Sequence, residues 1–104
     1  MDFKHYSETA GLLRVYPVSY KEVYPLMGLM GEVGEVAEKL KKELRDGNKR
    51  DKEALTKELG DVLWYLNALA LDCGIALDDI AETNLRKLTD RKARGKLQGS
   101  GDNR

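Results

Sequence analysis

A chain of 104 residues suffices for one domain, yet a single layer of helices of that size leaves apolar surface uncovered unless it pairs with something. Its 18 basic and 18 acidic side chains cancel, so no overall field draws in a polyanion and nucleic acid is not an expected partner. The lone Cys73 excludes an internal disulfide, and a charged N-terminus without an apolar h-region gives no sign of export, so the expected compartment is the cytoplasm.

The predicted elements begin with a short helix over Phe3 to Leu13, bearing an exposed His5. Between Val15 and Pro25 lie two prolines, Ser19 and the tyrosines Tyr16, Tyr20 and Tyr24. Proline restricts itself and its predecessor, so an unbroken helix is not expected there. The tyrosines suit either the end of a small core or the face of a nucleobase. From Leu26 the apolar positions run Leu26, Met30, Val33, Ala37, Leu40 and Leu44, a helical series closed by Asp46-Gly47-Asn48. Met27 and Met30 read as core filler. A second series, Leu55, Leu59, Val62, Leu66, Leu69 and Cys73, starts after Asp51 as N-cap and stops at Gly74. Its uncharged stretch Val62 to Leu71 reads as buried helix, far short of the roughly 20 residues that cross a bilayer, so no membrane is expected as a partner. A third long helix is expected from Leu77 to Lys92, and Gly95 to Arg104 reads as loop. The expected fold is all-α, a helical bundle built on an antiparallel hairpin and completed by oligomerisation, with a folded domain over 1–94 and a flexible tail over 95–104.

Two runs repeat one design. Glu32-Val33-Gly34-Glu35 and Glu58-Leu59-Gly60-Asp61 each place two carboxylates three residues apart on one helix face. If the helices pack, four acids converge, and like charges brought together resist ionisation unless a cation compensates them. Hard oxygen donors suit Mg²⁺, with Mn²⁺ as a substitute. The acids form stripes that flank the apolar seam: Gly28, Glu32, Glu35, Lys39 and Lys42 on one helix, Glu58, Asp61, Tyr65 and Ala68 on the other. Isolated Glu-x-x-Glu pairs are commonly solvated faces. Here Asp61 opens the apolar run Val62-Leu63-Trp64-Tyr65-Leu66, where burial would be costly without a partner. Gly34 and Gly60 suggest close helix approach or room for a ligand, since each costs about 1 kcal/mol relative to alanine. Glu38 reads as a further ligand, as a base, or as the partner of Lys42. On the third helix Asn84, Lys87, Arg91 and Arg94 form a donor stripe suited to phosphate, or a basic helix end facing the dipole. Lys39 is a further substrate-side candidate.

The segments Gly28 to Lys39, Lys57 to Leu66, Asn84 to Leu88 and Gly99 to Arg104 resemble those of the MazG-like all-α nucleoside triphosphate pyrophosphohydrolases, a likeness running from about Tyr16 to the C-terminus. The resemblance implies a dimeric or tetrameric helical enzyme that cleaves a nucleoside triphosphate, ribo or deoxy, into the monophosphate and pyrophosphate. It implies that Glu32, Glu35, Glu58 and Asp61 hold Mg²⁺, that Glu35 or Glu38 takes a proton from water, that Asn84 and Lys87 contact phosphate, and that Tyr65 offers a hydroxyl on the substrate side. Competing readings are the related phosphoribosyl-ATP pyrophosphohydrolase and a non-catalytic helical dimerisation module. A redox di-metal bundle would want Glu-x-x-His pairs, and His5 is the single histidine.

Overall fold

The computed structural model describes residues 1–104. It consists of α1 (Phe3–Gly11), a 3-10 turn (Val18–Tyr20), α2 (Val23–Asp46), α3 (Lys52–Asp72) and α4 (Leu77–Ala93), with no strand. The most extensive packing is α2 against α3; α1 lies on α3 and α4, and α3 meets α4. No single helix is long and apolar enough to cross a membrane.

Local chemistry sets the helix ends. The Asp2 carboxylate accepts the His5 N–H at 2.7 Å and the Asp51 carboxylate accepts the Ala54 N–H at 3.1 Å, so α1 and α3 each begin on a side-chain cap. Helix α2 stops where Gly47 takes φ +67°, and α3 stops just before Gly74 at φ +73°, both conformations that suit glycine. The chain then bends by 102° into α4, which carries Asp78 and Asp79 in its first turn and Arg91 and Lys92 in its last, an arrangement the helix dipole favours. Two boundaries differ from the sequence reading. Helix α1 ends at Gly11, not Leu13, and α2 starts at Val23, before Pro25. Pro25 is the third helical residue, where its missing N–H removes no intrahelical bond.

A reciprocal pair fixes α1 on α3. Ser7 Oγ donates to Asn67 Oδ1 at 2.6 Å, and Asn67 Nδ2 donates back to the Ser7 carbonyl at 3.3 Å. Both residues are buried, so the pair satisfies polar groups that would be costly alone.

The face that α2 turns to α3 corrects the expected seam. Leu29, Glu32, Val36, Lys39, Leu40 and Glu43 are half-buried, whereas Leu26, Met30, Val33 and Leu44 are 45%, 70%, 51% and 88% exposed. Met27 and Met30, read as core filler, are on the surface. Successive helical residues are about 100° apart, so a seam shifted by one or two positions leaves the apolar stripe facing outward. Only 8 of 104 residues are buried, and the accessible surface is 7967 Å²; a folded monomer of this mass exposes about 5,900 Å². The radius of gyration, 16.5 Å, likewise exceeds the roughly 13 Å of a compact chain of this length.

Residues 96–104, read as loose loop, form turns and bends folded against α4. The Arg104 guanidinium donates to the carbonyls of Lys96, Leu97 and Gly101 at 3.2, 2.9 and 2.7 Å, and these bonds curl the segment back on itself.

Candidate metal centre

Antiparallel pairing of α2 and α3 gives one register along the hairpin. Gly28 lies against Tyr65, where a Cβ on residue 28 would stand 2.1 Å from Tyr65 Cε1. One turn on, carboxylate oxygens of Glu32, Glu58 and Asp61 all lie within 4.8 Å of one another. Nearer the hairpin turn, Lys39 and Lys42 face Asp51 and Ala54 across a groove.

The three carboxylates form no ion pair with any Lys or Arg. Burial, and then the charges of Asp61, Glu58 and Glu35, push the Glu32 carboxyl above its ordinary pKa, the response of an acid in an uncompensated anionic group. The donor set fits a small hard cation. Oxygens around octahedral Mg²⁺ at 2.0–2.1 Å stand about 3–4 Å apart, so small side-chain rotations close the observed group onto one ion. Glu35 lies outside the tight trio, although its charge reaches Glu32. Asp61, expected in buried apolar surroundings, is exposed; the neighbouring Val62 to Leu66 are only half-buried. At Gly34 and Gly60 nothing lies within 4 Å of a Cβ built on either, so of the two expected reasons for these glycines close helix approach is not met there, and the space beside them is open. The close helix approach is at Gly28.

Glu38 pairs with Lys41 at 3.1 Å and not with Lys42. Tyr65 packs edge-on to Trp64, centroids 5.1 Å apart, and burial, then Tyr24, Glu32 and Asp61, raise its hydroxyl pKa. From α1, Tyr6 senses the same group, its hydroxyl pKa raised by burial and then by Asp61. The α4 stripe lies apart from the carboxylates. Asn84 and Lys87 border a cleft with Ile75, Asp79, Ile80 and Thr83. Lys87 pairs with Asp102 at 3.2 Å. Arg91 is buried and bonds Asp102 and the Gly101 carbonyl, while Arg94 bonds Asp90 and the Arg104 carbonyl. Asp61 precedes the end of α3 by eleven residues, roughly 16 Å of helix, and α4 leaves that end at 102° to α3.

Sequence reasoning missed a second polar centre, built on Asp72. Its buried carboxylate accepts Arg14 Nη1 at 2.8 Å, the Tyr16 hydroxyl at 2.7 Å and the Glu22 backbone N–H at 3.0 Å. Burial raises the Asp72 pKa, but the bonds from Glu22, Tyr16 and Arg14 outweigh it and hold the carboxyl below its usual range. Glu22 has φ +66° and ψ −45°, and the Val23 N–H bonds the Lys21 carbonyl at 2.7 Å. This is a γ-turn, a rare and strained conformation that persists only where neighbours enforce it. The clamp aligns Tyr16 on Tyr24, rings stacked at 4.8 Å and 13°. One signal was legible: a carboxylate in the last turn of a helix opposes the dipole and needs donors from elsewhere.

The profile of the MazG nucleotide pyrophosphohydrolase domain matches residues 24–95, a span that contains the carboxylate trio, Glu35, Tyr65 and the α4 stripe. The Gene 37 protein of Mycobacterium phage L5 is 48% identical over 85 residues, covering 78% of this chain and 75% of that protein. No solved structure matches.

Proposed function

This chain belongs to the MazG nucleotide pyrophosphohydrolase family, and we propose that it is a Mg²⁺-dependent hydrolase of nucleoside triphosphates, acting on NTP or dNTP to give the monophosphate and pyrophosphate. The observation that carries the reading is the unpaired group of Glu32, Glu58 and Asp61 at one level of the hairpin. These residues, with Glu35, would hold the metal; a divalent ion there supplies positive charge to phosphate oxygens and a more acidic water. Mn²⁺ fits the same donors. Glu35 or Glu38 is the base; Glu38 carries only a surface ion pair to Lys41, which is weak enough to yield. The water oxygen bonds the α phosphorus, its proton passes to that carboxylate, and the bond to the α–β bridging oxygen breaks, so that pyrophosphate leaves with that electron pair.

The reading includes a homodimer or homotetramer. Its support is the outward apolar stripe of α2 and a surface roughly 2,000 Å² larger than a compact monomer's, on the scale of an obligate interface. Asn84 and Lys87, distant from the carboxylates within one chain, act on phosphate in this scheme only if a second copy brings its α4 to the hairpin. Sedimentation is expected to give a multiple of 11.7 kDa; a stable monomer removes both statements.

The test of activity is incubation with Mg²⁺ and a panel of NTPs, dNTPs, oxidised analogues and phosphoribosyl-ATP, with products separated by HPLC. Monophosphate plus pyrophosphate from a free nucleotide is expected. Turnover of phosphoribosyl-ATP alone selects the histidine-biosynthetic reaction, and no turnover with chelator-insensitive folding selects a dimerisation module.

A further inference from the structure

Contacts along the α2–α3 hairpin keep one register from end to end. Glu22, the N-cap of α2, meets Asp72 at the end of α3. Gly28 meets Tyr65, Glu32 meets Asp61, and Glu43 meets Arg50 beside the turn. Each step along α2 is matched by a near-equal step back toward the turn: six residues against seven, then four against four, then eleven against eleven. The carboxylates therefore sit midway between two ends. The turn end is closed by the chain itself. At the open end apolar burial does little, because Val23, Met27 and Met30 are exposed and Pro25 is the one buried residue of α2. What holds that end is Asp72, whose side chain is fully enclosed. Two of its donors, Arg14 and Tyr16, belong to the segment that leads into α2, and the third is the backbone N–H of the α2 cap.

Building on the reading of Glu32, Glu58 and Asp61 as a metal centre, we infer that Asp72 is a positioning residue for it. By pinning Glu22 and, through Arg14 and Tyr16, the segment before it, Asp72 holds the open end of the hairpin in register and so sets the spacing of Glu32 against the two acids of α3. The γ-turn at Glu22 gives the pin its leverage. Its strain persists only while neighbours enforce it, so without the Asp72 bonds the turn relaxes and carries the start of α2 with it. Asp61 lies about 16 Å of helix from Asp72 and about 15 Å from Asp51 at the turn, so an opening of about 2 Å at the free end becomes about 1 Å at the acids. Mg²⁺ tolerates little such change, because it demands near-ideal octahedral geometry. The charge of Asp72 is not the agent. A distance of about 16 Å is two Debye lengths at physiological salt, and loss of the charge alone alters cation affinity by less than about 1.3-fold. Glu32, Glu58 and Asp61 stay neighbours in the hairpin either way, so the expected loss is partial.

The experiment measures binding of Mn²⁺ without nucleotide, the free ion being counted by electron paramagnetic resonance, together with amide exchange of the metal-free protein. Asp72→Asn is expected to weaken Mn²⁺ about fivefold, and Tyr16→Phe and Arg14→Gln, which each remove one donor, about twofold. Exchange at residues 23–29 should speed up in the same order. Ser7→Ala is the control. It breaks a buried hydrogen bond that joins α1 to α3 and not to α2, and should leave Mn²⁺ affinity within about 1.3-fold of wild type. If Asp72→Asn fails to fold by circular dichroism, the two donor variants decide the matter. Unchanged Mn²⁺ affinity in every folded variant of the clamp overturns the inference, as does an equal loss in Ser7→Ala, which would make the effect one of general loosening. A wild type that binds Mn²⁺ no better than Glu32→Gln overturns the metal-centre reading itself and the inference with it.

Discussion

Replacing Glu32 with glutamine should make the metal-free protein more stable while removing its response to Mg²⁺. Glu32 shares a space 4.8 Å across with two other carboxylates. At that distance a pair of unit charges in water-like dielectric repels by about 0.9 kcal/mol. Two such pairs, roughly halved by physiological salt, leave about 1 kcal/mol. Glutamine keeps the shape and deletes the charge, so the variant in EDTA should melt about 4–8 °C higher than wild type. Adding 10 mM Mg²⁺ should reverse the order. For a dissociation constant on the order of 1 mM, the ion stabilises wild type by about 1.4 kcal/mol, and the variant, with one ligand neutral, should gain far less. Scanning calorimetry with and without chelator reads both arms. A Glu32→Gln protein that is less stable than wild type in EDTA, or that gains as much from Mg²⁺, refutes the view of this group as an uncompensated anionic site.

Alanine at Gly34 or Gly60, where a Cβ meets nothing, should raise stability by up to about 1 kcal/mol through helix propensity. Gly28→Ala, driven into the Tyr65 ring, should instead cost about 1–3 kcal/mol of overpacking, partly offset by that same propensity. Urea titration distinguishes them, and equal shifts at the three sites would show that Gly28 is not a contact point. The Tyr16 hydroxyl has its pKa raised to about 12 by burial and by its bond to Asp72. A raised pKa contributes stability that is complete below pH 10 and declines as pH rises through about 12. The stability difference between wild type and Tyr16→Phe should therefore shrink across that window; a difference constant from pH 9 to 12 would separate the hydroxyl from the clamp.

The hairpin was legible because its signals are local. Asp51, Gly47 and Gly74 act through the geometry of their own turns, and the carboxylate spacing needs only the helical period. What escaped the sequence depends on rotation and on distance along the chain. The apolar series of α2 is real, yet α3 covers the adjacent stripe, and no local rule says which of two neighbouring stripes another helix will take. Gly34 and Gly60 drew attention by recurring in the acidic runs, while the glycine that an aromatic ring actually needs is Gly28. The Asp72 centre joins residues 50 to 58 positions apart, and only its awkward place on the helix dipole hinted at it.

That separation also implies an order of assembly. The α2–α3 hairpin closes through near neighbours, such as Arg50 on Glu43 seven residues away, whereas Ser7–Asn67 and Tyr16–Asp72 span 60 and 56 residues. Short loops close at less entropic cost and sooner. The carboxylate group is therefore complete in an early hairpin, and the tyrosine stack forms only when the N-terminal segment docks and Asp72 locks the γ-turn. Amide exchange should follow the same sequence in reverse, with residues 14–22 opening first and the centre of α3 last.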